Sequence, residues 1–561
     1  MKILLAACNA KYIHSNLAVY NLKSCSGEYS SRVVIKEYTI NQIRDDILKD
    51  IYLEQPDVIC FSCYIWNISF VRELVPDLKK ILPQVEFWAG GPEVSYDAVE
   101  FLKKNPAFFG VMVGEGEETF HELAGYYIER KPENLKEIRG VAFRDETKVQ
   151  DIVHTGWREL MDLSKVPFAY SNLTEFKNRI IYYESSRGCP FSCSYCLSSI
   201  DKKLRFRDIE LVKKELQFFI DNKVPQVKFV DRTFNCKHDH AMEIWRYITE
   251  HDNGITNFHF EISADLLRAE ELALMKTMRP GLIQLEIGVQ STNPQTIKAI
   301  RRTMDFEKLK GIVEQIHSFG NIHQHLDLIA GLPYEGYDSF HKSFCDVYAL
   351  RPEQFQLGFL KVLKGSHMME MTGEYQILYK DREPYEVLST AWLTYREILR
   401  LKMVESMVEV YYNSGQFKNT LVFLEQYFDD PFRMYEALGR FYEKKGYSEI
   451  SHSRMRRYEI LMEFAGERKE IPAEALSDVM LLDLYLRENL KSRPSFASDQ
   501  KPYERLIWDY RKAKKIPKTA HIEVFRDGKT ILFDYTDRDP LTNNARLTDI
   551  TDEVNNNYGN V

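Results

Sequence analysis

The sequence has no run of about 18 consecutive apolar residues, the length a membrane-crossing helix needs. Nor does it open with a charged segment followed by an apolar stretch: Met1 to Ala7 is a short strand-like run followed at once by Cys8 and Asn9, unlike a secretory leader. Positive charge is also short. Against 83 Asp and Glu stand 75 Lys and Arg, a formal charge of −8, which argues against a molecule-wide electrostatic footprint for nucleic acid. The 9 cysteines are too few for a disulfide scaffold in 561 residues and point to a reducing compartment, where thiols are free or metal-bound. The expectation from these absences is a cytoplasmic protein with no membrane segment. What is present, 44% hydrophobic residues with 33 Tyr and 33 Phe, fills several cores, and the length predicts about three or four domains.

Over residues 1–130 short β-rich runs alternate with helical patterns. The predicted strands are Lys2–Cys8, Val33–Tyr38, Asp57–Cys63, Val85–Ala89 and Phe108–Val113, and the helices Asn16–Ser24, Ile40–Tyr52, Asn67–Leu82, Tyr96–Lys103 and Glu117–Ile128, a doubly wound α/β domain. Residues 131–178 read as a linker with a hairpin over Gly140–Val153, turning at Asp145–Lys148. Residues 179–365 hold a second alternating series with strands at Ile180–Glu184, Gln226–Val230, Asn257–Ser263, Leu282–Gly288, His323–Ile329 and Gln354–Phe359, which predicts a partial (β/α)6 barrel. Residues 366–561 are mainly helical, as in Tyr385–Met403 and Val422–Tyr442, with a terminal hairpin at His521–Tyr535 and a frayed tail at Asn555–Val561.

Three of the cysteines, Cys189, Cys193 and Cys196, sit within eight residues directly after the first barrel strand. Thiolates are the ligands of iron–sulfur clusters, and a loop with three and then two intervening residues can wrap its sulfurs around one cluster, with Gly188 and Pro190 helping the turn. Three ligands leave one iron of a cubane open. A zinc knuckle would need a fourth Cys or His nearby, and none lies within the next 30 residues. The remaining Cys8, Cys25, Cys60, Cys63, Cys236 and Cys345 are scattered among apolar neighbours and read as small buried hydrophobes.

This C-x3-C-x2-C loop resembles the hallmark of the radical S-adenosylmethionine superfamily. The resemblance implies a [4Fe–4S] cluster whose open iron chelates S-adenosylmethionine, cleavage to a 5′-deoxyadenosyl radical, and a reductant such as flavodoxin or ferredoxin. Val227–Asn235 takes the second-strand position, with the usual Gly-Gly-Glu replaced. Phe260–Asp265, Leu285–Ser291 and Asp327–Pro333 look like the later strand ends of the branch that includes anaerobic coproporphyrinogen oxidases. By that similarity Glu261, Gln290, Arg302 and Asp327 are the candidate contacts for S-adenosylmethionine.

A doubly wound sheet binds at the carboxyl ends of its strands, and here those ends carry Asn9–His14, Ser62–Asn67, Gly90–Ser95 and Gly114–Glu118. With the barrel behind them, these runs resemble the cobalamin-binding domain that precedes many such barrels, and Ser62, Tyr64, Gly90, Gly91, Gly114, Glu115 and Gly116 become candidate cobalamin contacts. The first loop, Asn9-Ala-Lys-Tyr-Ile-His14, departs from the Asp-x-His-x-x-Gly pattern, so His14 is read as facing the corrin or packing, not as the cobalt ligand. The basic clusters Lys202–Arg207, Arg454–Arg457 and Arg511–Lys518 read as solvated faces. The function implied is a radical enzyme, with cobalamin as methyl carrier, acting on a small molecule or peptide. An anaerobic oxidoreductase or cyclase, an RNA-modifying enzyme, and a non-catalytic cobalamin or redox sensor stay open.

Overall fold

The computed structural model describes residues 1–145 and 152–558. Five parallel strands, β1 (Ile3–Asn9), β2 (Val33–Thr39), β3 (Val58–Ser62), β4 (Glu86–Gly90) and β5 (Gly110–Met112), pair in the order β2-β1-β3-β4-β5. Both faces of this sheet are covered, which is why its strands are almost unbroken apolar runs. Leu4, Ala6, Ile59, Phe61 and Phe87 pack with the helices Arg44–Glu54, Ile68–Ile81 and Ala98–Lys104. Their neighbours Ile3, Leu5, Val58, Cys60 and Trp88 point the other way, towards Leu17–Cys25 and Glu117–Glu129. The doubly wound order predicted from the alternation is present.

The hairpin of the linker is more than a connection. Its strands β6 (Val141–Arg144) and β7 (Ile152–His154) continue the sheet antiparallel to β5, making it seven-stranded. Of the turn expected at Asp145–Lys148, all but Asp145 lies outside the described residues.

The second sheet is six-stranded and parallel. Its members are β8 (Ile181–Tyr183), β11 (Gln226–Phe229), β12 (Asn257–Ile262), β13 (Ile283–Gln290), β14 (His323–Ala330) and β15 (Gln354–Phe359), in the order β15-β14-β13-β12-β11-β8. Between β8 and β11 the chain forms a two-stranded antiparallel ribbon of β9 (Ser186–Arg187) and β10 (Arg205–Phe206). The strand pleat sorts residues by polarity: Phe258, Phe260 and Ile262 of β12 and Ile283, Leu285 and Ile287 of β13 join the apolar core. The alternate positions His259, Glu261, Glu286, His325 and Asp327 face one another inside, so the lumen is polar.

That apolar core does not stop at the barrel. It runs into the carboxy-terminal helices, where Phe344 meets Phe432 and Tyr435, and Tyr348 meets Tyr435. The helical stretch expected from Tyr385 starts later, at Tyr395, because Val387–Ser389 pairs as a strand with Leu378–Tyr379 and Thr394 caps the helix. The stretch Val422–Tyr442 is two helices, Lys418–Glu425 and Pro431–Lys445. Asp430 caps the second and Pro431 starts it, since proline is tolerated in a first turn and breaks an interior. The terminal hairpin is a three-stranded sheet of His521–Val524, Thr530–Arg538 and Ala545–Asp549. Helix Thr551–Tyr558 takes up the first part of the tail expected to fray, and residues 559–561 lie outside the described residues. No helix among the described residues is long and apolar enough to cross a membrane.

Candidate functional site

The ribbon β9–β10 closes a loop over residues 188–204 that carries the three thiols. Gly188 opens it at φ +94°, and a side chain there would meet the Lys203 carbonyl oxygen at 2.6 Å, so the position requires glycine. Inside the loop the Cys189 N–H donates to the Asp201 carbonyl at 3.1 Å and the Cys196 N–H to the Cys193 carbonyl at 3.2 Å. The loop is pinned outward by Ser194, whose N–H donates to the Ile300 carbonyl at 2.9 Å and whose carbonyl accepts from Met368 N–H at 2.8 Å. Behind it, the fully buried Asp231 at the end of β11 accepts hydrogen bonds from Ser185 N–H at 2.9 Å and from the Ser185 and Ser186 hydroxyls at 2.6 Å each. Burial pushes the Asp231 carboxyl up to about 6 against those bonds. The second-strand loop thus anchors the cysteine loop through Asp231.

Cys189 and Cys193 are buried and Cys196 is partly exposed. Burial raises the Cys193 thiol, and Arg302, whose Nη1 donates to Cys193 Sγ at 3.8 Å, favours the thiolate. Among the described residues, the sets of three ligand atoms lying within 4.8 Å of one another are His341–Cys345–Asp430 and Glu286–His325–Asp327, and the loop thiols are not such a set.

Next to the loop, the barrel lumen holds a cavity of about 130 Å³ that brings together all four candidates, Glu261, Gln290, Arg302 and Asp327, with Phe191, Arg232 and Thr233. Gln290 gets there by a shift in register between Gly288 and Gln290 in the β13–β14 pairing, where its own backbone turns to φ +73°. Its Oε1 and the Nε of Arg302 are buried without a hydrogen-bond partner among the described residues. Buried polar atoms left unmatched at a cavity wall are what a ligand would satisfy. Sequence reasoning missed the tier below, where Glu286 accepts from Lys228 Nζ at 2.9 Å and lies 3.0 Å from His259 Nε2, and His325 Nε2 lies 2.9 Å from Asp327. Alternation along β12 to β14 was the available signal.

Burial, and then the charge of Glu286, pushes the Glu261 carboxyl up to about 7. Because its folded value lies above the unfolded one, Glu261 favours the fold at low pH, and that contribution is lost as pH rises from about 4.5 to about 7. Glu261→Gln is therefore expected to flatten the decline in stability across that window, as read by urea denaturation of the cofactor-free chain at each pH.

A larger cavity, about 350 Å³, lies at the carboxyl ends of β3, β4 and β5 and is lined by Ser62, Tyr64, Gly90, Gly91, Gly114, Glu115 and Gly116, all seven of the candidates there. Pro92, Tyr96, Trp157 and Arg158 also line it, and the last two come from the segment the sequence reads as linker. Gly91, at φ +113°, passes so close to Cys63 that a side chain would meet its carbonyl oxygen at 2.5 Å. At Gly114, φ +78°, it would meet the Trp157 ring at 3.0 Å. The loop above is held by Asn67, which accepts from Tyr64 N–H at 2.8 Å and donates to the Cys8 and Ser62 carbonyls.

His14 turns away from this cavity: its Nδ1 lies 2.7 Å from the Tyr182 hydroxyl and its backbone bridges to Ile180, so it joins the two domains. The cluster Lys202–Arg207 is not simply a solvated face, since Arg205 pairs with Glu115 at 2.7 Å and the buried Arg207 with Glu215 at 2.5 Å. Of the other cysteines, Cys8, Cys60 and Cys63 are buried as expected, whereas Cys25, Cys236 and Cys345 are partly exposed.

Residues 3–124 match the family model described as B12 binding domain, residues 183–344 that of the Radical SAM superfamily, and residues 373–540 one described as "Protein of unknown function (DUF4080)". The chain carries a radical SAM domain with a B12-binding domain ahead of it, and the cofactors of those two domains are a [4Fe–4S] cluster, S-adenosylmethionine and cobalamin. Among characterised relatives, it is 27% identical to the cobalamin-dependent radical SAM methyltransferase TokK of Streptomyces tokunonensis, over 51% of this chain and 44% of TokK. It is 26% identical to an anaerobic magnesium-protoporphyrin IX monomethyl ester cyclase of Synechocystis, over 40% of this chain and 46% of the cyclase. It thus spans about half the length of these relatives or less. The fold is shared with the cobalamin-dependent S-adenosylmethionine radical enzyme OxsB, at TM-score 0.59 and 14% identity over 92% of this chain and 76% of OxsB.

Proposed function

We propose that the chain is a radical SAM enzyme in which cobalamin serves as methyl carrier for transfer to a small molecule or peptide. The observation that supports this most is the meeting, at one loop, of three thiols, a polar lumen cavity and a glycine-floored cavity in the B12-binding domain. Cys189, Cys193 and Cys196 hold the cluster. When bound, the cluster supplies an electron to cleave the sulfonium of S-adenosylmethionine, and cobalamin offers a place to carry a methyl group.

The protein groups have separable tasks. Arg302 offsets thiolate charge at Cys193 through Nη1 and still offers Nε to a ligand. Gln290 Oε1 accepts from a ligand N–H or O–H, and the carboxylates of Glu261 and Asp327 suit an ammonium group or hydroxyls. Gly90, Gly91, Gly114 and Gly116 keep the floor of the larger cavity bare, so a broad ligand can approach backbone. A one-electron donor such as flavodoxin or ferredoxin completes the system.

A second reading keeps the radical chemistry without methyl transfer, and the match to the Synechocystis cyclase favours it. Reconstituted, reduced protein, supplied with S-adenosylmethionine deuterated in its methyl group, separates the two in cell extract. The methyl-carrier reading expects 5′-deoxyadenosine together with a product heavier by a deuterated methyl. Deoxyadenosine with no such product supports the second reading, and no cleavage of S-adenosylmethionine sinks both.

A further inference from the structure

The larger cavity and the cysteine loop share a wall. Arg187 and Asp201, from the two ends of the β9–β10 ribbon and its loop, line the cavity together with Glu115 and Glu117. The ribbon also grips the glycine-rich turn that forms the cavity rim. Arg187 Nη2 reaches Glu117 Oε1 and Glu184 Oε2 at 2.7 Å each, and its Nη1 lies 3.1 Å from Glu115 Oε1. Arg205 Nη1 lies 2.7 Å from the same Glu115 oxygen, and its Nη2 2.6 Å from Asp201 Oδ2. Glu115 further accepts from Met161 N–H at 3.2 Å, and the Met161 carbonyl accepts from Arg205, which ties in the segment that bears Trp157.

These are not surface pairs. The side chains of Glu117 and Arg205 are 8% and 10% exposed, those of Glu115 and Arg187 17% and 21%. A charge pair this far out of water is costly to break, because each partner is left with an uncompensated charge. The path from the net to the thiols is short. Arg187 stands two residues before Cys189, and the Asp201 carbonyl accepts the Cys189 N–H. Register of the ribbon therefore sets both where Cys189 points and how the rim Gly114–Glu117 is held.

Resting on the cobalamin and cluster assignments above, we propose that Glu115, Glu117, Arg187 and Arg205 are positioning residues that couple the two cofactor sites. An ordered cluster loop holds the rim of the cobalamin cavity in its binding shape, and an occupied cavity, packed against Arg187 and Asp201, holds the loop in register. Coupling of this kind is reciprocal: whatever factor the cluster adds to cobalamin affinity, cobalamin adds to cluster affinity. No second conformation of the whole molecule is required, only a ribbon and a rim that each order better with the other in place.

Hydroxocobalamin titrated into the full chain, with and without its reconstituted cluster, tests this by fluorescence quenching. The cluster-free chain is expected to bind about 5- to 150-fold more weakly, the usual span of such couplings. In reciprocal form, hydroxocobalamin should raise the concentration of ferrous chelator that removes half of the iron at equilibrium. Glu117→Gln keeps size and hydrogen bonding but drops the charge, and Arg187→Lys cannot reach two carboxylates as a fork does. Both should bring the ratio of cluster-loaded to cluster-free affinity towards one, each ratio being taken within the same variant. Equal affinities in the unaltered chain overturn the inference alone. A ratio that persists in both variants overturns the assignment to these residues. A chain that cleaves S-adenosylmethionine but takes up no hydroxocobalamin removes the carrier reading, and the inference falls with it.

Discussion

Cys193→Ala is expected to yield a chain that folds, holds almost no iron after anaerobic reconstitution, and does not cleave S-adenosylmethionine. Cys193 is the middle of the three thiols and nearly fully buried, so no other donor on the loop can replace its sulfur. Its removal does not leave Arg302 stranded, because that side chain also donates to the Gly288 carbonyl and to the Tyr195 hydroxyl at 3.4 Å. Loss of a small buried thiol costs about 1 kcal/mol of packing, well within what a chain of this size tolerates. The measurements are iron and sulfide content, the visible absorbance of thiolate-bound iron, and deoxyadenosine formation. Cobalamin should still saturate the protein, at the lower affinity expected of the cluster-free state. Full cluster loading in this variant would show that the ligand assignment is wrong.

How much of this was legible beforehand depends on the scale of the signal. The strands of both sheets and the placement of Cys189, Cys193 and Cys196 after β8 follow from local pattern: alternation, glycine at strand ends, and close spacing. The seven candidates in the first domain line one cavity, as strand-end placement predicts, and the four lumen candidates, which the family resemblance supplied, line another. Three things were not legible. The hairpin β6–β7 reads as part of a polar connector because its strands are only four and three residues long, and joining β5 is a long-range event. The tier of Lys228, His259, Glu286 and His325 hides in strands whose other face carries the apolar signal. The pairing of Arg187 and Arg205 with Glu115 and Glu117 spans 70 residues or more, and a run of basic residues gives no hint of partners so far away.

Gly91→Val is the counterpart of the cysteine substitution, and it is expected to empty the first domain while sparing the second. Two costs coincide at this position. The backbone sits at φ +113°, where a β-branched residue is strained by about 1–3 kcal/mol. The added Cβ would also lie 2.5 Å from the Cys63 carbonyl oxygen, which is backbone and cannot swing aside. Relief requires the Cys63–Asn67 loop to move, yet Cys63 N–H donates to the Gly90 carbonyl at 2.7 Å, and Asn67 fastens the other end to β1 and β3. The displacement therefore reaches Ser62 and Tyr64, both in the cavity wall. Hydroxocobalamin affinity should fall by more than tenfold, equivalent to about 1.4 kcal/mol or more, and the chain should unfold at lower urea concentration. Iron and sulfide loading at Cys189, Cys193 and Cys196 should persist, because the loop's own closures, at Gly188, Asp231 and Ile300, lie in the barrel half. An unchanged cobalamin affinity in a folded Gly91→Val chain would move the cobalamin site away from this cavity.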